Sequence, residues 1–341
     1  MFTREDGSQI NLRGIYAGQA CFLLCNGPAL NSAIELMSKY PRVLTIGVNN
    51  GPAVYRPTLW TMVDDVKNFV RSIYVDPTII KFLPSGKRAD RLWDNINWRE
   101  DRLTTSACPS IIYYQRQEGS AEFFDPATFF SSDAFCWGNH TDRCRCGWSR
   151  PGQEKKCKSC GCDKWRRDKC TKCGRKRPER VRVCQQCQST QNWGSRSVML
   201  VQLRIPIVLG CSRLYIVGAS FRMGKNYTYA FEQARAPGAV KNNTETYRIL
   251  NERFSRLRPE LAKRNISVWN CTPDSGLESF DRMDLRDALE AETSLIPRRE
   301  RTEGLYDRKA NENAAGATER SVGGIPERLS DIIARVSHGQ R

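Results

Sequence analysis

Histidine is nearly missing from this 341-residue chain: only His140 and His338 occur. The first lies at the edge of a cysteine-rich stretch and the second near the end of a polar tail. Acid–base chemistry elsewhere must therefore run on other groups. Long apolar runs are missing too. None reaches the ~18 residues that span a bilayer, so the sequence reads as a soluble, cytoplasmic protein with no membrane span. The opening residues, Met1-Phe-Thr-Arg-Glu-Asp6, are polar, and no apolar segment follows a basic start, so no secretory signal is expected. Acidic residues are the third shortage, 37 Asp and Glu against 54 Lys and Arg, for a formal charge of +17. The excess is uneven. Residues 136–187 hold sixteen Lys and Arg against five Asp and Glu, a local +11, which leaves +6 for the other 289 residues.

That same stretch also lacks large apolar residues, so it cannot form a core of its own. What it has is ten of the chain's fifteen cysteines. Six of them fall in three Cys-x-x-Cys pairs, Cys157/Cys160, Cys170/Cys173 and Cys184/Cys187, with a tighter Cys144-x-Cys146 pair ahead. Two thiolates at this spacing on a tight turn can reach one metal, and two such pairs close a tetrahedral zinc site. A disulfide-stapled secreted module would use similar cysteines, but the polar start argues against it. The expected arrangement is two structural zinc ions. Cys157, Cys160, Cys170 and Cys173 would form one ribbon-like site, and Cys144, Cys146, Cys184 and Cys187 a second. Cys136, Cys162 and His140 are left over, and any of them can stand in for an assigned ligand. Two four-thiolate sites would lower the local charge to about +7. The remaining cysteines, Cys21, Cys25, Cys108, Cys211 and Cys271, suit a reducing cytoplasm.

Around this insertion the chain reads as α/β. Cys21–Cys25 is an apolar run that meets the turn Asn26-Gly27-Pro28, then a helical stretch with Leu30, Ile34 and Met37 on one face, stopped by Pro41. Val43–Val48 and Leu59–Val63 are further strands, ending at Asn49-Asn50-Gly51 and Asp64-Asp65. Ile79–Leu83 and Ile111–Tyr114 follow. Ser195 can cap a helix running towards Gly210, kinked by Pro206. Leu214–Val217 forms a strand that meets Gly218. Tyr247, Leu250, Phe254, Leu257 and Leu261 make an amphipathic stripe. Ile266–Trp269 is a last strand, ending at Asn270. Such alternation implies a mostly parallel, Rossmann-like sheet with helices on both faces and ligands at the carboxyl ends of its strands. The polar tips Asn26, Asn49, Asn50, Asp64, Ser220 and Asn270 would gather there. The expected organisation is 1–135 and 195–290 as two halves of one domain, 136–194 as the zinc insertion, and 291–341 as a polar tail. Leu329, Ile332, Ile333 and Val336 would form one short helix in that tail.

At this point the residues resemble a family. Cys25-Asn-Gly-Pro-Ala-Leu30 is similar to the turn after the first strand of the small bacterial sialyltransferases, and of the wider Rossmann-like group that includes the MptE-type pterin diphosphokinases. Thr45–Asn50, Leu214–Phe221 followed by Tyr229-Ala-Phe231, and Trp269–Leu277 with Phe280 resemble three later segments in the same order. The resemblance covers residues 18–135 and 195–290 and leaves out the cysteine-rich part. It implies that Asn26, Gly27 and Asn49 bind a nucleotide and that Asn270 and Ser275 line the same cleft. Pro28, Asn50, Gly218 and Ser220 lie on the matching segments. The physical account agrees, because a turn opening a helix offers backbone N–H groups and a positive dipole end to a phosphate.

There are departures from the pattern. Ala29 stands where the family has Ser, and Ser220 where it has an acidic residue. Lys241-Asn-Asn-Thr244 occupies the stretch where the sialyltransferases carry a histidine base. Asp64 or Asp65 is then the candidate base. Val63-Asp64-Asp65 is not an Asp-x-Asp pair, so Mg²⁺ or Mn²⁺ on a donor diphosphate is permitted rather than indicated.

The expected function is a glycosyltransferase-like enzyme that moves a sugar from a nucleotide-activated donor. Its basic zinc module, with Trp148, Trp165 and Trp193, would hold a polyanionic acceptor, either nucleic acid or an anionic glycan. Two alternatives stand beside it: a Mg²⁺-dependent diphosphotransferase using ATP, and a non-catalytic binding protein on a degenerate transferase fold.

Overall fold

The computed structural model describes residues 2–94, 97, 99–116, 125–135, 157–162, 164–166, 169–176, 186, 197–222, 229–231 and 239–294. The expected tail helix around Leu329–Val336 lies outside them. The chain divides into two compact units. One comprises 1–117, 126–137 and 197–341; the other comprises 118–125 and 138–196.

In the larger unit ten strands form one sheet. They are β1 (Phe2–Thr3), β2 (Gln9–Ile10), β3 (Ala20–Leu24), β4 (Thr45–Val48), β5 (Leu59–Thr61), β6 (Ile80–Pro84), β9 (Ile111–Tyr114), β12 (Arg213–Val217), β13 (Ser267–Asn270) and β14 (Asp281–Arg282). Between β6 and β9, β7 (Arg91–Asp94) and β8 (Arg99–Thr104) make a separate antiparallel hairpin. The smaller unit holds another such hairpin, β10 (Trp165–Arg166) with β11 (Lys169–Cys170). The helices are α1 (Ala29–Met37), α2 (Arg71–Val75), α3 (Pro126–Ser131), α4 (Val198–Val208), α5 (Ala239–Ala262) and α6 (Leu285–Thr293).

The sheet order is β14-β13-β12-β3-β4-β5-β6-β9-β1-β2. Every pairing from β14 to β9 is parallel, and only β1 and β2 run antiparallel at the edge. From β3 the chain adds strands in one direction out to β9, then returns to the other side of β3 for β12, β13 and β14. The order therefore reverses between β3 and β12. In open α/β sheets the chain leaves a crevice at such a reversal, outside the carboxyl ends of the two strands.

Burial explains why the strands read as unbroken apolar runs. Cys21, Phe22, Leu23 and Leu24 are all buried, as are Leu214 to Val217. Successive strand side chains point to opposite faces, so both faces of the sheet are covered. Phe22 and Leu24 pack with Tyr215, Val217 and Trp269 against α1 and α6. Phe22, Tyr215 and Trp269 stack in sequence, with centroids 4.8 and 5.1 Å apart. A second cluster around Trp60, Tyr74, Leu83 and Tyr113 lies at β5, β6 and β9.

Two local expectations change. Two residues after Ser195, Ser197 caps helix α4, and its hydroxyl accepts the Met199 N–H at 3.2 Å. Strand and helix also do not alternate throughout. β4 and β5 are joined by a single turn, Gly51–Ala53, because the connection is short and carries Pro52 and Pro57.

One buried ion pair ties α6 to the sheet. Glu292 accepts from Arg213 Nε at 2.7 Å and from a second guanidinium nitrogen at 2.9 Å, and Tyr215 donates its hydroxyl to the same carboxylate at 2.7 Å. Glu292 is 5% exposed and Arg213 15%. Removing the carboxylate leaves a largely buried guanidinium without its partner. Glu292→Ala should cost about 3–5 kcal/mol in urea denaturation, with Glu292→Gln recovering part of the loss.

Candidate functional site

The crevice is built where β3, β4 and β12 end. β3 runs into Cys25-Asn26-Gly27, which turns directly into α1. This turn packs on the end of β12: the Gly27 N–H donates to Gly218 O at 2.9 Å, and Cys25 N–H to Val217 O at 2.8 Å. The approach admits no side chain. A Cβ on Gly27 would lie 2.5 Å from Gly218 O and 2.6 Å from Ser220 Oγ. Gly218 has φ +75°, and a Cβ there would meet Cys25 O at 2.7 Å and Leu30 Cβ at 2.9 Å. The opening of α1 has no side-chain cap and no acidic residue in its first turn. Its dipole end is thus left without a compensating charge of its own.

Three polar atoms at these strand ends are buried and have no hydrogen-bond partner among the described residues: Asn26 Oδ1, Asn49 Oδ1 and Ser220 Oγ. They come from β3, β4 and β12, the three strands around the reversal. Asn49 adopts φ 51°, a left-handed conformation that asparagine tolerates better than most residues. Gly51 leaves room beside Asn26, since a Cβ there would fall 2.6 Å from Asn26 Oδ1. Buried polar atoms are nearly always paired, so three orphans together at a strand-order reversal mark a place where a ligand can supply the partners.

The other residues expected at the site have different surroundings. Asn50 is spent on the loop, donating to Asn68 O at 3.1 Å and accepting from Val70 N–H at 3.0 Å. Asn270 donates to Leu277 O at 2.9 Å and accepts from Thr272 N–H at 3.0 Å. Ser275 donates to Ala219 O and accepts from Leu277 N–H at 3.0 Å. Pro28 stands at the N-cap of α1. Asp64 and Asp65 are exposed beyond β5, two strands from β3 or about 10 Å at ordinary strand spacing. Burial works against ionisation of Asp65, but hydrogen bonds to Lys67 and the charges of Lys67 and Lys87 outweigh it and hold its carboxyl below the usual range.

Burial disfavours the thiolate form of the cysteines beside these strand ends. Burial pushes Cys25 up to about 12 and raises Cys271 as well. Sequence reasoning missed Gln202 altogether. Its amide bridges β3 and β4, donating to Leu24 O and Ile46 O at 2.9 Å each. A lone glutamine within the apolar run Val198–Val208 was the available signal.

A cleft of about 610 Å³ lies between α1, the ends of β12 and β13, and the start of α6. It shares Gly218 with the crevice, and its walls are mainly apolar, including Ala33, Leu36, Val217, Cys271 and Leu285. Its size suits a small molecule.

In the smaller unit the Sγ atoms of Cys157, Cys160, Cys170 and Cys173 all lie within 4.8 Å of one another. Cys157–Cys173 and Cys160–Cys170 are 3.5 and 3.4 Å apart. Four sulfurs at ~2.3 Å from one zinc would sit about 3.8 Å apart, so the donor set fits a tetrahedral ion with little movement. The two halves repeat one backbone device. The Gly161 N–H donates to Cys157 O at 2.7 Å and the Gly174 N–H to Cys170 O at 3.0 Å, with φ +69° and +70° at the two glycines.

Burial opposes ionisation of Cys157, but backbone N–H groups and the neighbouring thiols bring it down to about 6. The Cys162 backbone favours the Cys160 thiolate, yet burial and the adjacent sulfurs push that thiol up to about 12. One thiol held ionised against one held neutral is a conflict that a bound cation removes. Cys162 stands apart, its sulfur accepting the Lys164 N–H at 3.4 Å. The second expected site, Cys144, Cys146, Cys184 and Cys187, lies outside the described residues, as do Cys136, His140, Trp148 and Trp193.

These observations define an α/β protein with a large, mostly parallel sheet and, in a separate unit, a four-cysteine cluster that can hold a metal ion and is compatible with zinc. No helix among the described residues is long and apolar enough to cross a membrane. No family model, curated protein or solved structure matches the chain.

Proposed function

We propose that the crevice at the β3/β12 reversal binds the nucleotide of an activated donor and that the protein is a glycosyltransferase-like enzyme on a Rossmann-like sheet, with the four-cysteine ribbon as a zinc-bearing insertion. The observation that carries this reading is the set of orphaned atoms on Asn26, Asn49 and Ser220. The two amide oxygens are acceptors and need donors, which ribose hydroxyls or a base amine supply. The uncompensated start of α1 beside them suits a phosphate. The apolar cleft that shares Gly218 gives room for the group attached to the phosphate. Of the two carboxylates beyond β5, Asp65 is engaged by Lys67, so we assign proton removal to Asp64.

The test is a thermal-shift titration with CMP, UDP, GDP and ATP, each with and without Mg²⁺. Saturable binding of one nucleotide should raise the melting temperature, with about 2.7 kcal/mol of stabilisation at a hundredfold excess over Kd. Asn26→Ala and Ser220→Ala should abolish the shift. Since Asn26 Oδ1 and Ser220 Oγ have no partner among the described residues, unliganded stability should stay within about 0.5 kcal/mol. A shift only with ATP and Mg²⁺ would favour phosphoryl transfer, and no shift with any nucleotide would sink the reading.

A further inference from the structure

We infer, building on the proposed nucleotide site, that the adjoining cleft receives the group the donor carries, and that this group is a neutral or amino sugar, not an acidic one. The starts of two helices of opposite electrostatic character line the cleft. α1 enters it through Ala29 and has no acidic residue in its first turn. α6 enters it through Asp284, Leu285 and Asp287, of which Asp284 is the N-cap and Asp287 lies in the first turn. A helix start carries about half a positive charge. At α1 that charge is free to meet a phosphate, whereas at α6 two carboxylates more than cancel it.

The two carboxylates differ in what they can still accept. Asp284 Oδ1 takes the Arg286 and Asp287 N–H groups at 2.8 and 3.3 Å, which fixes it in place. The Asp287 carboxylate is exposed and has no hydrogen bond or ion pair among the described residues. Acidic charge is felt at the cleft wall, where burial raises the Cys271 thiol and Asp284 raises it further. Arg282 also lines the cleft, and its guanidinium donates to Ser275 O at 2.9 Å. Two carboxylates against one guanidinium leave this end net negative. Between the two helix starts, Ala33, Leu36 and Val217 present apolar surface that cannot compensate an anion.

The cleft also opens off the orphaned atoms. Ser220 is 6% exposed, and its partnerless Oγ sits beside Gly218 O, each within 2.6 Å of the position a Gly27 Cβ would take. A donor with its phosphate at α1 therefore directs its sugar along the apolar wall towards Asp287. Hydroxyl or ammonium groups would supply the protons that this carboxylate accepts. A sugar carboxylate would meet like charge instead.

The experiment is calorimetric titration of the full-length protein with glucose 1-phosphate, glucosamine 1-phosphate and glucuronic acid 1-phosphate. None of these probes carries a base, so the result does not depend on which nucleotide the crevice prefers. Glucosamine 1-phosphate should bind tightest and glucuronic acid 1-phosphate weakest. Exposed charge pairs change affinity by about 2- to 5-fold each, so the two should differ by roughly 10-fold. Asp287→Asn should compress that spread to about 3-fold and hold glucose 1-phosphate within about twofold of wild type, because a neutral amide oxygen still accepts from a hydroxyl. Glu5→Gln makes the same change of charge at the opposite edge of the sheet and should leave the spread intact.

Equal affinity for the three probes would overturn the inference, and so would failure of all three to bind at millimolar concentration. Tighter binding of glucuronic acid 1-phosphate would overturn it too and give the sugar to Arg282. In each case a nucleotide that still stabilises the protein leaves the crevice assignment standing. An ordered series without binding of any nucleotide would replace the nucleotide donor with a sugar phosphate.

Discussion

Cys170→Ser should release one metal ion per chain and unfold the ribbon while the larger unit keeps its melting transition. Between Cys157 and Lys176 the only large apolar residue is Trp165, so the hairpin has no core to fall back on. Structural zinc sites in small modules supply an apparent binding free energy of about 10–16 kcal/mol at neutral pH, far more than two short strands and two tight turns can gain. Cys170 is 2% exposed and Cys157 1%, while Cys160 is half-buried and Cys173 exposed, so Cys170 lies on the buried side of the cluster, and a serine hydroxyl there cannot replace the lost bond. Metal analysis with limited proteolysis reads both effects. Cleavage should move into the ribbon, and a strong chelator should reproduce the pattern in wild type. The metal should also leave as pH falls, since protons compete for the same sulfurs. An undiminished metal content in Cys170→Ser would remove this cluster as the binding site.

The second large effect is expected at Gly218. Gly218→Ala places a methyl group 2.7 Å from the Cys25 carbonyl and 2.9 Å from Leu30 Cβ, at a backbone φ of +75°. The left-handed conformation alone costs about 1–2 kcal/mol for a residue with a Cβ, and overpacking against backbone adds about 1–3 kcal/mol. A total loss of roughly 2–5 kcal/mol should appear in chemical denaturation. The clash pushes the end of β12 away from the turn that opens α1, so the contact of Gly27 with Gly218 O should be lost as well. Nucleotide-induced stabilisation should then disappear even where the variant is folded. Gly14 has φ +74° with nothing near its Cβ position. Gly14→Ala should therefore pay only the conformational cost, which isolates the effect of crowding at Gly218.

Much of the sheet could be read from the chain, because a strand buried on both faces has to be apolar at every position. Cys21–Leu24 and Leu214–Val217 announce themselves in this way, and Leu250, Phe254, Leu257 and Leu261 recur at the spacing of α5's buried face. The two-residue strands β1, β2 and β14 and helix α6 were not foreseen. A two-residue strand carries no periodicity, and α6 announces itself chiefly through the Asp284 cap, which accepts from Arg286 and Asp287 N–H. At the site, Asn26, Asn49, Asn50 and Asn270 look alike in sequence, each an asparagine closing an apolar run. The fold separates them. Asn50 meets backbone partners in the loop after β5 and Asn270 in its own loop, whereas the Oδ1 atoms of Asn26 and Asn49 meet none among the described residues.

By itself the sequence determined the local chemistry: which runs must be buried, which turns need glycine, and which pairs of thiols sit at metal-binding spacing. Those are properties of near neighbours, and near neighbours are what a sequence displays. Only the tertiary structure decided that β12 returns beside β3, so that the ends of β12, β3 and β4 lie side by side. It also decided which polar atoms there go unpaired. Both depend on crossovers that bring together residues as far apart as Asn26 and Ser220, and no spacing along the chain encodes where such a crossover lands.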